Sequence, residues 1–192
     1  MSNSLTDGED ELLRLISCGD EAAFLTFYRR HQGPVYRFAL QMSGQAEIAE
    51  EVTQEVFMVV MGSASKYDAK RGSVGAYLYG IARNFVLRRL EQERPYLTTL
   101  DDPESEYSDV AADGGDALAE LTRNERIESL RRAVLALPPA YREVVVLCDL
   151  HELEYAEAAA ALDCAIGTVR SRLHRARALL TEKMRAEERC AV

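Results

Sequence analysis

Residues 155–174, YAEAAAALDCAIGTVRSRLH, decide how the C-terminal part of this 192-residue chain folds. They read as two short helices joined by a tight turn, a helix-turn-helix. Such a unit needs a small residue where its helices cross, here Ala159, and apolar contacts on both sides, here Leu162 and Val169. The turn position that usually holds Gly is Asp163. Asp is one of the few residues that tolerate the left-handed backbone region.

The helix after this turn, expected over about 167–185, can be sorted by face at about 100° per residue. Val169, Leu173, Ala176 and Leu180 fall in one narrow arc, the buried stripe. Arg170, Ser171, His174 and Arg175 lie opposite, with Arg172 and Arg177 on the flanks. Outward guanidinium groups beside a hydroxyl suit the major groove of DNA, where Arg meets guanine bidentately. The flanking arginines are placed for phosphates. The bland alternative is a solvated basic face.

Working outward, the same 3.6-residue apolar period recurs along most of the chain. Residues 20–43 carry Phe24, Phe27, Tyr28, His31, Val35, Ala39 and Met42, with Asp20 as N-cap and Gly33-Pro34 expected to kink or break the helix midway. A helix over about 46–61 buries Ile48, Val52, Val56, Val59 and Val60, and one over about 73–92 buries Val74, Leu78, Ile81 and Phe85. The basic, polar stretch SASKYDAKRGS lies between them. A helix carrying Ile127, Leu130, Val134 and Leu137 ends at Pro138-Pro139, and further helices are expected at 140–150 and 154–162. No segment alternates as a strand would. The fold class is therefore all-α: two small helical domains, residues 1–92 and 125–192, joined by a flexible acidic linker over 93–124.

The charge is uneven. The net charge of −9 is wholly accounted for by residues 91–128, which hold twelve acidic and three basic side chains. Residues 65–90 and 165–185 each carry six basic side chains and one acidic one. Two basic patches thus flank an acidic tether, a distribution compatible with nucleic acid despite the overall sign. No apolar run approaches the ~20 residues that span a bilayer. The acidic start, MSNSLTDGEDELL, lacks the basic and apolar regions of a signal peptide, so a cytoplasmic location and no membrane insertion are expected. The four cysteines (18, 148, 164 and 190) form no CxxC clip, and the three histidines form no zinc pattern. Cys148 reads as a reduced core thiol, and no metal or cofactor is expected.

The segment GTVRSRLHRAR closely resembles the final helix of extracytoplasmic-function sigma factors, the minimal members of the main bacterial sigma family. The N-terminal half matches independently. EEVTQEVF (50–57) looks like the family's polymerase-docking helix, GSVGAYLYGIARN (72–84) like its DNA-melting segment, and FLTFYRRH like its opening helix. The resemblance covers roughly residues 20–92 and 125–182. It implies a promoter-recognising subunit that acts by binding, with no catalysis of its own.

By that resemblance, Glu51, Gln54, Glu55 and Met58 form the stripe that meets the coiled coil of the largest subunit of core RNA polymerase. Tyr77, Asn84 and Arg88, which share one helical stripe, would join Lys66, Lys70 and Arg71 in holding the unpaired strand of the −10 element, Asn84 reading a flipped base. A Tyr can stack on such a base, an amide can read its edge and an arginine can hold its phosphate. Tyr77 stands where the family commonly has Trp, and reads equally as a partly buried core aromatic. Arg170, Ser171, Arg172, His174, Arg175 and Arg177 would contact the −35 duplex. An anti-sigma partner and a role in a stress or signal response are further implications. The tether reads either as a solubilising linker or as a negative segment passing near the RNA path.

Two other classes remain open. A free-standing operator-binding regulator would need a dimer interface or a ligand domain, and would leave the 46–61 helix unexplained. A nucleic-acid enzyme would need carboxylates or histidines converging on one pocket.

Overall fold

The computed structural model describes the backbone of residues 3–93 and 117–190 and the side chains of residues 8–92 and 126–185. Every regular element among them is helical. The N-terminal domain comprises α1 (Asn3–Ser17), α2 (Glu21–Ser43), α3 (Ala46–Ser63) and α4 (Val74–Glu93), with a 3₁₀ turn at Ala64–Lys66. The C-terminal domain comprises α5 (Ala117–Leu135), α6 (Pro139–Val145) running into a π-helical turn at Val146–Leu150, α7 (Tyr155–Leu162) and α8 (Ile166–Cys190). α5 begins inside the segment expected as linker. The rest of that acidic stretch, 94–116, lies outside the described residues.

Local chemistry sets the helix ends. Asp20 caps α2 by accepting the Ala23 N–H at 2.9 Å, and Gly44 closes it in the left-handed region at φ 77°. α6 starts with Pro139 at its first turn, where a missing N–H costs nothing. α2 corrects one expectation. It runs through Gly33-Pro34 without a break. A mid-helix Pro costs about 3 kcal/mol or more, but Val35, Phe38, Ala39 and Met42 just beyond it are completely or almost completely buried against α3 and α4. Each large apolar side chain so buried returns about 1.5–3 kcal/mol, so the domain core keeps the helix whole.

That core is formed by the α2 stripe together with Ile48, Val52, Val56, Phe57 and Val60 of α3 and Val74, Leu78, Ala82 and Val86 of α4. Val59, Ile81 and Phe85, expected inside, are half-buried instead. α1, which the acidic opening concealed, contributes Leu13 and Ile16. His31 lies over the Phe27 ring, 4.4 Å between centroids, and burial pushes its imidazole down to about 4, so it packs as a neutral group. In the C-terminal domain Val134, Leu137 and the run Val144–Leu147 pack under α8 with Val169, Leu173 and Ala176. Cys148 sits at the edge of this core, its thiol pushed up to about 11 by burial first and the Asp149 carboxylate second.

The two domains pack directly on each other, mainly α4 against α7. Arg83 of α4 forms a two-pronged pair with Glu143 of α6, 2.8 Å from Nε to Oε1 and 3.3 Å from Nη2 to Oε2. Glu143 is only 2% exposed. His151 bridges to Gln41 and Tyr79: its Nε2 donates to Gln41 Oε1 and its Nδ1 accepts from the Tyr79 hydroxyl, both at 2.9 Å. That pair of bonds fixes the neutral tautomer, consistent with burial pushing this imidazole down to about 4. Arg142 donates across the seam to the carbonyl of Met42 at the end of α2, and within its own domain to those of Leu135 at the end of α5 and Leu137 just after it. A cation there satisfies carbonyls that each helix end leaves open.

Candidate nucleic-acid and polymerase interface

Three surfaces carry the residues singled out in the sequence. On α3, Gln54 and Met58 are exposed, Met58 at 71%, and Met61 one turn further is 60% exposed. Glu51 and Glu55 lie on the same face but are not free carboxylates. Arg89 of α4 holds both, at 3.0 Å to Glu51 and 3.1 Å to Glu55. A partner meets a pre-ordered acidic pair flanked by two methionines. Met61 is an addition of the structure.

The second surface surrounds the loop between α3 and α4. Asp68 organises it, its side chain accepting the Lys70 N–H at 3.0 Å and its carbonyl the Arg71 N–H at 2.9 Å. The Tyr67 hydroxyl donates to the Gly72 carbonyl at 3.2 Å, and Ser73 Oγ accepts the Ala76 N–H at the start of α4. Lys66, Lys70 and Arg71 are exposed on this loop, and Asn84 and Arg88 on α4. Tyr77 is half-buried, 5.5 Å from the Tyr67 ring centre. Both open readings of Tyr77 describe part of its position. It packs against a neighbour and still edges a cavity of about 790 Å³ lined also by Lys66, Tyr67, Arg71, Arg83 and Asn84. Burial raises both phenols, Tyr67 to about 12 with help from the nearby carboxylates of Asp10, Glu9 and Asp68, so each remains a neutral donor. Lys70 and Arg88 lie outside the cavity lining. Tyr67 is the aromatic of SASKYDAKRGS, and no helical period places it beside Tyr77.

The third surface is the helix-turn-helix. Asp163 takes the left-handed conformation (φ 48°, ψ 50°), and the Cys164 N–H closes the turn onto the Ala159 carbonyl at 3.0 Å. Ala159, Leu162 and Val169 are buried as the crossing requires. On α8, Arg170, Ser171, His174 and Arg175 are exposed, Arg172 is half-buried and Leu180 lies at the core edge. Ser171 donates to the Thr168 carbonyl at 3.1 Å, and the Arg170 guanidinium lies 5.9 Å from the Tyr155 ring centre. Arg177 is exposed and paired within the protein. It grips Asp149, with Nη2 2.5 Å from Oδ1 and Nε 3.1 Å from Oδ2. Among the described residues no group of three or more His, Cys, Asp or Glu could hold a metal ion, and no helix is long and apolar enough to cross a membrane.

Residues 27–95 match the model of sigma-70 region 2, and residues 127–180 match that of sigma-70 region 4. The chain is 32% identical over 195 aligned positions to the extracytoplasmic-function RNA polymerase sigma-E factor of Escherichia coli strain K12, covering 96% of this chain and 97% of that protein. It is 29% identical to the sigma factor SigW of Bacillus subtilis, covering 90% and 95%. With SigE of Mycolicibacterium smegmatis identity reaches 36%, and there the match covers 85% of this chain and 63% of that longer protein. The fold is shared with CnrH, solved in complex with the cytosolic domain of CnrY, at a TM-score of 0.68, 23% identity and coverage of 94% and 99%. It is shared also with RpoE of Bartonella quintana, solved with the anti-sigma factor NepR, at a TM-score of 0.66, 24% identity and coverage of 84% and 96%. This chain belongs to the extracytoplasmic-function family of RNA polymerase sigma factors. It serves promoter-directed transcription initiation, with RNA polymerase and promoter DNA as its partners.

Proposed function

We propose that the three surfaces divide the work of promoter recognition, the protein acting by binding and not by catalysis, in the cytoplasm. The domain of residues 1–92 docks through Gln54, Met58 and the Arg89-held pair Glu51 and Glu55 onto the largest-subunit coiled coil of core polymerase. The same domain captures the melted −10 strand. Asn84 reads a flipped base, Tyr77 stacks beside it, and Lys66, Lys70, Arg71 and Arg88 hold its phosphates. The domain of residues 125–192 reads the −35 duplex through Arg170, Ser171, His174 and Arg175, with Arg172 on the flank and Arg177 available only if it leaves Asp149. Residues 93–124, the last of them within α5, tether the two. An anti-sigma protein and an inducing stress or signal are part of this reading, the former supported by a fold neighbour solved with an anti-sigma factor.

One observation carries the strand-capture assignment. An exposed amide, Asn84, stands at a cavity that also offers two phenols and the cations Lys66 and Arg71. Aromatic faces, an edge-reading amide and phosphate-binding cations are what an unpaired nucleotide requires. Asn84→Ala holoenzyme should still bind −35 duplex but fail to open a cognate promoter, read by permanganate footprinting. Normal opening in the variant would remove the assignment.

A further inference from the structure

We infer that Arg89 is a positioning residue for polymerase docking, its guanidinium joining Glu51 and Glu55 into one two-carboxylate receptor for a single basic side chain of the partner. The inference deepens the docking reading given above and rests on it. Glu51 and Glu55 stand one helical turn apart on α3, a spacing at which like charges repel. Arg89 reaches across from α4, with Nη1 3.0 Å from Glu51 Oε2 and Nη2 3.1 Å from Glu55 Oε1. One planar fork thus spans both carboxylates, a geometry that the point charge of a Lys does not supply.

Folding stability does not account for this bridge. The Arg89 side chain is 34% exposed and that of Glu51 54%, and pairs so open to water add little to stability. Glu55 shows what the bridge does. Its Oε2 is shut off from solvent and has no hydrogen-bond partner among the described residues, so Arg89 supplies the counter-charge that holds this carboxylate in place. Two carboxylates on one guanidinium leave a single negative charge. Its accessible part is Glu51, on the same face as the exposed Gln54 and Met58. A Lys or Arg of the coiled coil fits that place, bringing the second cation that the cluster lacks. Arg88, the neighbour of Arg89 in the chain, lies about 100° round α4 and stays exposed on the side assigned to the strand.

Full-length variants titrated against core RNA polymerase by fluorescence anisotropy test this, because position and charge act with opposite signs. Arg89→Met keeps an aliphatic stem of similar length and leaves the docking face one charge more negative toward a basic partner. If Arg89 positions the pair, Arg89→Met should bind core polymerase about fivefold or more weakly in spite of that charge, the scale of coupling within one ion-pair network. Arg89→Lys should recover only part of the loss. In a Glu51→Gln, Glu55→Gln background Arg89→Met should cost nothing further, since the pair it acts through is gone. Differential scanning calorimetry checks that folding is kept, and Arg89→Gln serves if Arg89→Met misfolds.

Tighter or unchanged binding by Arg89→Met, while Gln54→Ala with Glu55→Ala binds weakly, would overturn the positioning role and leave the docking reading standing. An equal loss in the Glu51→Gln, Glu55→Gln background would also overturn it, making Arg89 a direct contact of the polymerase. If Gln54→Ala with Glu55→Ala assembles normally, the docking reading has failed and the inference falls with it.

Discussion

The two surfaces proposed to face DNA are built on opposite plans. The C-terminal one is a single helix: α8 buries Val169, Leu173 and Ala176 and thereby turns Arg170, Ser171, His174 and Arg175 outward together. The N-terminal one is assembled from a 3₁₀ turn, a loop and two turns of α4, and its cavity is completed by a wall from the other domain. Arginines divide on a different line. Among the described residues Arg170 and Arg175 hold no carboxylate, Arg170 lying only over the Tyr155 ring, whereas Arg83, Arg89, Arg142 and Arg177 each bind carboxylates or carbonyls of the protein itself. A one-helix surface can fail only with its helix. A composite surface can fail by losing any part.

The most damaging way to break this contrast is to remove the buried stripe. Leu173→Ala deletes a side chain that is 2% exposed in the C-terminal core and should cost about 2–5 kcal/mol. Duplex binding should fall on every sequence alike, while the N-terminal domain melts as before in differential scanning calorimetry. A single melting transition lowered as a whole would show that the domains unfold together.

The next two tests sharpen the contrast. Arg170→Ala and Arg175→Ala should spare the fold. If they read guanines, each should cost about 1–3 kcal/mol of duplex affinity and relax specificity at one base pair. Equal losses on all duplexes would make them phosphate clamps. On the docking face, Gln54→Ala with Glu55→Ala should weaken holoenzyme assembly in a fluorescence anisotropy titration, with folding changed by about 1 kcal/mol or less, because only the partly exposed Arg89 pair is lost. Unchanged assembly would disprove the docking role.

The smallest effect is expected at Arg177. Asp149 already offsets its charge and occupies its Nε and Nη2, so Arg177→Ala should change duplex affinity by less than about 1 kcal/mol. Asp149→Asn should do the reverse of a loss and raise affinity, with a steeper salt dependence, since it frees one cation. A large, sequence-independent loss for Arg177→Ala would put that residue back among the phosphate contacts.

Most of the C-terminal site was legible because everything it needs lies within one turn of helix of its neighbours. The 169/173/176 stripe fixed the outward face of α8, and the backbone tolerance of Asp fixed the turn at position 163. The N-terminal site was legible in its parts, Asn84, Tyr77 and the basic loop, but not in its shape. Nothing local brings Tyr67 to Tyr77. Glu51 and Glu55 read as free because Arg89, their holder, stands 34 residues or more further along the chain. Of the kink or break expected at Gly33-Pro34, the break is overruled by burial of Val35 and Phe38.

The sequence alone thus determined the all-helical class, the order of the two sigma regions, the helix-turn-helix and its outward residues, because periodicity, caps and turn chemistry act between residues a few positions apart. Tertiary structure alone decided which charges are spent inside the protein and that α7 meets α4 across Gly80. Arg83 and Glu143 are 60 residues apart, Gln41 and His151 are 110, and a close approach of two backbones leaves no period to read. Pairing at such distances depends on how the domains are packed in space, which no local pattern encodes.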